Sequence, residues 1–233
     1  MGNLPFYVSL LFELTVVLTV YLFFRAAHSS KAFLVIIIGW VVIQTILGLS
    51  GFYYLSKDVP PKLPLLVGPP TLLILILFLI KRGRLFIDGL STANLTLVHS
   101  VGLFVELVLY ILFVYKYVPK AMTFEGSNFD ILSGLSAPIV YYFGFVKKGL
   151  NRGMLIAWNI ICLLLLINAS RLAVLSMPNF GLIGAEQPDI ALGQFPFILL
   201  PAVIVPLVLF AHLASIRNLV IKRSSPNLML NKI

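Results

Sequence analysis

The stretch from Leu95 to Val118 reads LTLVHSVGLFVELVLYILFVYKYV, and it decides the class of fold. It is apolar over a length that crosses a bilayer as a helix, for which about 20 residues suffice. One carboxylate, Glu106, lies in its middle. A charge at the bilayer centre costs at least roughly 2.5 to 3.5 kcal/mol, so such a side chain usually faces a protein interior or a water-filled cavity. The helical repeat places His99, Glu106 and Tyr110 close to one face. We therefore expect this helix to form the inner wall of a bundle.

The composition of the whole chain points to an integral membrane protein. Hydrophobic residues make up 60% of it, charged residues 11%, and the mean hydropathy is +1.05. Soluble domains carry about 25% charged residues. The apolar runs are continuous and lack the alternation of a transmembrane barrel, which predicts an all-α polytopic bundle in the lipid bilayer. The net charge of +9 is concentrated at the ends of these runs, a pattern that indicates topology and anionic headgroups rather than nucleic-acid binding.

The template of about 20 apolar residues fits the chain seven times. We predict a single seven-helix transmembrane domain over residues 1–217 and a short basic cytoplasmic tail over residues 218–233. The predicted spans are residues 6–24, 33–55, 63–80, 95–118, 130–146, 153–176 and 195–216.

The distribution of lysine and arginine predicts the orientation. With the N-terminus outside, twelve of the seventeen basic residues fall on the inner side and four on the outer side, and Arg171 lies within the sixth span. Loops on the cytoplasmic side carry the excess of basic residues in membrane proteins. We therefore expect the N-terminus outside and the C-terminus in the cytoplasm.

The outer connection before the fifth predicted span, Thr123 to Leu132, reads TFEGSNFDIL. Its Ser127, Asn128 and Asp130 are all suited to cap the helix that follows. The stretch from there through Pro138 resembles uncharacterised bacterial multi-spanning membrane proteins. This resemblance implies a bacterial inner membrane location and carries no activity with it.

Several polar residues lie at membrane depth in the outer half. Glu13, Glu106 and Arg171 are on three different predicted spans, and opposite charges on three helices can come together without leaving one unpaired. One interpretation is a buried ion pair that fixes helix register. The other is a polar cavity open to the outside, which we favour because two acids for one arginine leave a carboxylate to take a proton or a ligand. The candidate ligand-binding residues are Glu13, Glu106, Tyr110, Asp130, Asn168 and Arg171.

Two further features bear on a binding site. The longest outer connection, residues 177–194, contains Pro178, Gly184 and Pro188 and is the candidate lid or outer gate. Prolines within the predicted spans either serve helix packing or break helices at a binding site, as in transporters. These prolines are Pro69, Pro70, Pro138, Pro201 and Pro206.

His99 and His212 are each about 7 Å inside the inner ends of their spans. Two imidazoles at matched depth are the one pair in the sequence that could hold a haem or a metal ion. The chain has no H-x-x-x-H pair, its only cysteine is Cys162, and no carboxylate ligand is nearby in sequence. We therefore predict no cofactor and no metal, with interfacial hydrogen bonding as the role of the two histidines.

Familiar seven-helix and enzyme patterns are missing from the sequence. The last span, Phe195 to Ile216, has no lysine for a retinal Schiff base and lacks the paired histidines of alkaline ceramidases. No G-x-S-x-G, H-E-x-x-H or P-loop occurs.

Three hypotheses for the function remain. The favoured one is binding or transport of a small or amphiphilic, lipid-like molecule through a pocket around Glu106. The second is an accessory subunit bound to partner membrane subunits. The third is an intramembrane enzyme that uses Glu106 as acid or base on a lipid or quinone.

Overall fold

The computed structural model describes residues 4–54, 62–180, 182–184 and 186–221, and the regular structure in that part of the chain is entirely helical. The prediction of an all-α fold is confirmed. The helices are α1 (Phe6–Ala26), α2 (Lys31–Leu49), α3 (Leu63–Leu79), α4 (Lys81–Gly89), α5 (Thr92–Val98), α6 (Val101–Val114), α7 (Ile131–Tyr141), α8 (Arg152–Leu175) and α9 (Val205–Ile221). A 3-10 turn covers Lys120–Met122, and π-helical turns at Tyr142–Val146 and Leu200–Ile204 continue α7 and precede α9.

Five helical segments are long and apolar enough to cross a membrane: α1, α2, α5 joined to α6, α8, and α9 with its π turn. A sixth results if α3 and α4 count as one span bent by 95°. α7 with its π turn measures roughly 24 Å at 1.5 Å per residue, which is less than the hydrocarbon thickness of about 30 Å. The described residues thus contain five or six candidate spans where the sequence predicts seven.

Some sequence predictions fall outside the described residues. These are the outer-loop residues Lys57 and Asp58, Gly181 in the predicted lid, and the basic residues beyond 221. α9 continues to Ile221, past the predicted tail boundary at residue 218.

The interior of the bundle is formed by α5, α6 and α9. Leu95, Val98 and Leu112 on the first two helices and Ala211 and Ala214 on α9 are completely buried. Apolar side chains at these positions follow the 3- and 4-residue spacing of one helix face, which explains why that face packs inward. The segment that contains Glu106 is therefore an inner helix, as the sequence predicts.

α2 lies at the periphery. Of its residues only Gln44 and Gly48 are buried, while side chains such as Val35 and Ile46 are exposed by 70% and 61%. A Cβ on Gly48 would lie 3.0 Å from the side chain of Ile198, so the missing side chain permits the close approach. α2 thus presents most of its surface to lipid and contacts the bundle along a narrow line.

A hydrogen bond to a proline-freed carbonyl fixes α2 in place. Pro206 has no N–H to donate to the carbonyl of Ala202 four residues earlier. The indole Nε1–H of Trp40 donates to that carbonyl at 2.8 Å. A polar backbone group at membrane depth needs such a partner because no water is present to supply one.

α4 turns away from α3 by 95° and is held at the opposite end of the bundle from the cavity described below. The side chain of the buried Asn218 donates to the carbonyls of Ile87 and Leu90, at 3.0 and 3.1 Å. Arg217 forms two hydrogen bonds with Asp88, at 2.7 and 3.0 Å. These contacts fasten α4 to α9, and its basic first turn then lies at a bundle end where the sequence places the cytoplasm.

Candidate functional site

Glu106 is buried in the middle of α6, with 2% of its surface exposed. The Nδ2 group of Asn128 donates a hydrogen bond to Glu106 Oε1. Asn128 also donates to the carbonyl of Met122 at 3.0 Å, and its Oδ1 accepts the N–H of Asp130 at 3.1 Å. These three bonds fix the orientation of the Asn128 amide, so its donor side faces Glu106.

A cavity of about 210 Å³ lies beside this pair. Its wall is mostly apolar, and it is bounded by α3, α6, α8, the π turn before α9 and the connections at the same end of the bundle. Pro201, in that π turn, is part of the wall, so one of the prolines noted in the sequence adjoins the cavity. The polar residues that line it are Tyr53, Lys62, Glu106, Asn128, Asp130 and Ser170.

Two carboxylate oxygens at the cavity have no hydrogen-bond partner among the described residues. They are Glu106 Oε2 and Asp130 Oδ1, and both atoms are shielded from solvent. Asp130 is close enough to Glu106 for the two carboxylates to repel each other. A buried polar atom without a partner costs about 1 to 3 kcal/mol. The cavity is therefore lined by two carboxylates, each with one oxygen that lacks a donor among the described residues.

Lys62 lines the cavity at the start of α3, but its ammonium group contacts Phe52 and not the two carboxylates. Its Nζ donates to the carbonyl of Phe52 at 2.8 Å and lies 3.8 Å from the centroid of the Phe52 ring. Cation–π contact and a backbone acceptor together hold this ammonium at Phe52. Lys62 has no ion pair with either carboxylate within the described ranges.

The long connection between α8 and α9 folds over the cavity as a packed cover. Met177, Leu192 and Gly193 from this connection line the cavity. Gln187 Nε2 donates to the carbonyls of Phe113 and Val118, at 3.0 and 2.6 Å, which ties the cover to the end of α6.

Asp189 holds the turn of this cover. The side chain is completely buried, and its Oδ1 accepts the backbone N–H groups of Ala191 and Leu192, both at 3.1 Å. Burial raises the pKa of Asp189 to about 7, although these two hydrogen bonds act in the opposite direction. The predicted lid is thus an ordered element with a proton-sensitive group at its core.

The segment 127–130 connects three of the candidate residues: Glu106, Asp130 and Asn168. Asn168 Nδ2 on α8 donates to the carbonyl of Ser127 at 2.8 Å, and Asn168 Oδ1 accepts from Arg171 at 3.1 Å. The neighbouring Asn128 is bonded to Glu106. This segment therefore links α6 to α8, and Asp130, which starts α7, makes no side-chain capping hydrogen bond.

Glu13, Tyr110 and Arg171 lie away from the cavity wall. Tyr110 packs on Phe124 with ring centroids 5.0 Å apart. Arg171 is exposed. The ion pairs of the described chain are Lys120–Glu125 and Asp88–Arg217, so Arg171 pairs with neither Glu13 nor Glu106. The structure brings together Glu106 and Asp130 and leaves Glu13 half-buried on α1.

His99 and His212 do meet, in a separate buried cluster. Their rings stack with centroids 3.7 Å apart and planes inclined by 16°. Asn159 Nδ2 donates to the carbonyl of Leu155, so its Oδ1 accepts from His212 Nδ1 at 3.2 Å. Stacked rings direct their nitrogens outward from the ring edges, whereas ligands of a metal ion converge on it at about 2.0 to 2.1 Å. No group of three or more metal-ligating side chains occurs in the described residues.

Sequence reasoning missed the role of Asn128 and the contributions of Tyr53 and Lys62. Asn128 appears in the sequence as a capping residue, since its position just before a helix is typical of a cap. Its partner is 22 residues away on another helix. An intramembrane carboxylate needs a donor, and the polar outer connection was the place to seek one.

Comparison with known proteins gives a family and no activity. No curated protein and no solved structure matches the chain. A family model, described as a domain of unknown function, DUF8737, matches residues 60–220. This region contains α3 to α8, all of α9 but its last residue, and every cavity-lining residue except Tyr53. The chain therefore belongs to the DUF8737 family.

Proposed function

We propose that this protein binds a small or amphiphilic molecule in the cavity beside Glu106 and moves it between the membrane and the outer side. The observation that carries the proposal is the presence of two unpartnered carboxylate oxygens in a mostly apolar wall. Cavities of this kind, apolar with a few placed polar groups, are typical of ligand sites. The wall also contains Pro201 and a π turn, an irregularity in a spanning helix of the kind that occurs at functional sites.

The proposal includes a topology of seven spans with the N-terminus outside, in a bacterial inner membrane. In this arrangement α3 crosses the membrane, α4 lies along the cytoplasmic surface, and α7 crosses as a short helix. A short span is accommodated by local thinning of the bilayer at a modest cost. The excess of basic residues on the inner side supports the orientation.

Native mass spectrometry of the detergent-purified protein tests the proposed binding. We expect a small molecule to remain bound to the wild type and to be lost from Glu106→Gln, which keeps the size of the side chain but not its charge. Glu125→Gln is the matched control, because Glu125 is an exposed acid on the same outer connection. If the wild type retains partner chains and no small molecule, binding in this cavity is refuted.

A role as a subunit of a larger membrane complex is the second candidate, and Glu13 favours it. This carboxylate is half-buried between Leu10 and Val17, which are exposed by 42% and 63%. It makes no hydrogen bond within the described residues. A carboxylate at the edge of a lipid-facing surface is costly, and a donor from a partner helix would relieve that cost. Loss of a copurifying chain from Glu13→Leu, with binding in the cavity unchanged, would support this role.

A further inference from the structure

The cavity wall specifies the chemistry of a head group as well as its position. Glu106 Oε1 already accepts from Asn128, so the unused atoms are Glu106 Oε2 and Asp130 Oδ1. Both are acceptors when the carboxylates are ionised. A ligand head that satisfies them must donate at least two hydrogen bonds.

The described part of the chain provides no cation for these two carboxylates. Lys62 is held at the carbonyl and ring of Phe52, and Arg171 is exposed and bonded to Asn168. Two carboxylates that repel each other in a largely apolar cavity are stabilised by an opposite charge between them. A proton or a ligand can supply that charge, and a ligand that does so is a cation.

The rest of the lining narrows the class of cation. Quaternary ammonium groups have no N–H to donate and are usually bound by several aromatic faces. Tyr53 is the one aromatic residue among the described lining residues of this cavity. A primary ammonium has three donors and no acceptor, which matches two acceptor oxygens in a mostly apolar wall.

The volume of the cavity limits the size of the apolar part of the ligand. About 210 Å³ is below the 300 to 1,000 Å³ of typical drug-sized sites. Leu66, Leu166, Ala173 and Ile204 provide aliphatic walls that suit a short hydrocarbon chain.

We propose that the ligand is a primary amine with a short aliphatic body, bound with its ammonium between Glu106 and Asp130. This inference rests on the proposed function and names the ligand class of the same cavity.

The proposal of an amine ligand is tested by measuring how four matched eight-carbon probes bind to the full chain in detergent. Octylamine, octanol, octanoate and octyltrimethylammonium share the aliphatic chain and differ in the head. We expect octylamine to raise the unfolding temperature and to bind most tightly. We expect Glu106→Gln to weaken octylamine binding by about tenfold or more, since a hydrogen bond to a charged group contributes about 1.5 to 3 kcal/mol. Octanol binding should not change.

The outcomes separate the two proposals. If octanol or octanoate binds as tightly as octylamine and competes for the same cavity, the amine inference is overturned and ligand binding stands. If none of the four binds, the amine inference is overturned, and the native mass spectrum of the wild type tests ligand binding separately. If Glu106→Gln does not fold, Asp130→Asn replaces it, and unchanged octylamine affinity in the folded variant overturns the inference. Glu125→Gln should bind octylamine as the wild type does.

Discussion

Asn128 holds Glu106 through a hydrogen bond between two buried side chains, and its removal should destabilise the fold. In Asn128→Ala both oxygens of a buried carboxylate lack a donor, so we expect the free energy of unfolding to fall by about 1 to 3 kcal/mol. Thermal unfolding in detergent measures the change. Ser127→Ala is the control, because the hydrogen bonds of Ser127 are made by its backbone groups and its side chain is exposed. Equal unfolding temperatures for the two variants would contradict the assignment.

Asp189 should make the stability of the cover depend on pH. Its pKa is raised to about 7 in the folded state, above the value of 3.8 of a free carboxyl. The folded protein then retains a proton that the unfolded chain has lost. This contribution to stability is fully present below about pH 4 and is lost as the pH rises through about 7. The slope between these limits is at most about 1.4 kcal/mol per pH unit.

The variant Asp189→Asn tests this dependence. Its Oδ1 can still accept from Ala191 and Leu192, and it does not titrate in this range. We expect a flatter profile of stability against pH than in the wild type, measured by thermal unfolding between about pH 4 and pH 8. Glu186→Gln, at an exposed acid on the same connection, should keep the wild-type profile. A wild-type profile in Asp189→Asn would contradict the prediction.

For single residues, the sequence predicted which polar side chain lies in the interior, but it did not predict the partner of that side chain. Glu106 stands out because a carboxylate inside an apolar run is expensive, and it is indeed buried at the cavity. Arg171 was a plausible partner by depth alone. Depth does not determine which way a helix face points, and the long arginine side chain is exposed instead.

Among the helices, the crossing of α6 and α7 depends on Gly134. A Cβ at this position would overlap the backbone nitrogen of Leu103, and backbone cannot move aside as a flexible side chain can. We therefore expect Gly134→Ala to force the helices apart and lower the unfolding temperature. Overpacking of this kind typically costs about 1 to 3 kcal/mol.

Two glycines provide controls for this substitution. At Gly102 a Cβ would meet Gly134 at 3.6 Å, which is ordinary contact, and at Gly39 on α2 nothing lies within 4 Å. We expect Gly102→Ala to be tolerated and Gly39→Ala to be neutral or slightly stabilising, because alanine favours a helix over glycine. Destabilisation by Gly39→Ala equal to that by Gly134→Ala would contradict the close-crossing explanation.

Element types follow from the sequence more readily than their ends do. Apolar length predicts the long helices, because the membrane leaves few alternatives, but it does not predict α4, whose sequence KRGRLFIDG is largely polar. It does not predict the 95° bend between α3 and α4, since Lys81 and Arg82 are equally compatible with a loop. The interruption of the inner helix between α5 and α6, at His99 and Ser100, also has no proline or glycine to mark it.

For the whole molecule, the orientation and the crossing by α7 can be tested together. In a Cys162→Ala background, Glu125→Cys and Gly149→Cys place single thiols at exposed positions on either side of α7. An impermeant maleimide should label Glu125→Cys on intact spheroplasts and Gly149→Cys only after permeabilisation. The reverse pattern would refute the outside N-terminus. Labelling of both from one side would show that α7 does not cross.

Charge counts gave an orientation because the membrane sorts loops by their basic residues. Charge counts do not show how the helices are arranged around one another. Lipid is as apolar as the packed interior, so the hydropathy of the lipid-facing side of a helix is similar to that of its inward side. The cavity arises from that arrangement. The sequence therefore suggested a cavity and two of its lining residues, Glu106 and Asp130, but not the apolar residues that form most of the wall.

The peripheral position of α2 has a consequence for how its sequence changes in evolution. Positions such as Val35, Ile38 and Ile46 are exposed by 70%, 50% and 61% on the single chain, where lipid requires hydrophobicity but no particular shape. Neutral drift among Val, Ile, Leu and Phe should therefore be rapid on this face. Trp40 and Gly48 should instead drift slowly, because each meets a fixed atom of another helix or turn. Low substitution rates along α2 would then mark the few positions at which it contacts the rest of the bundle.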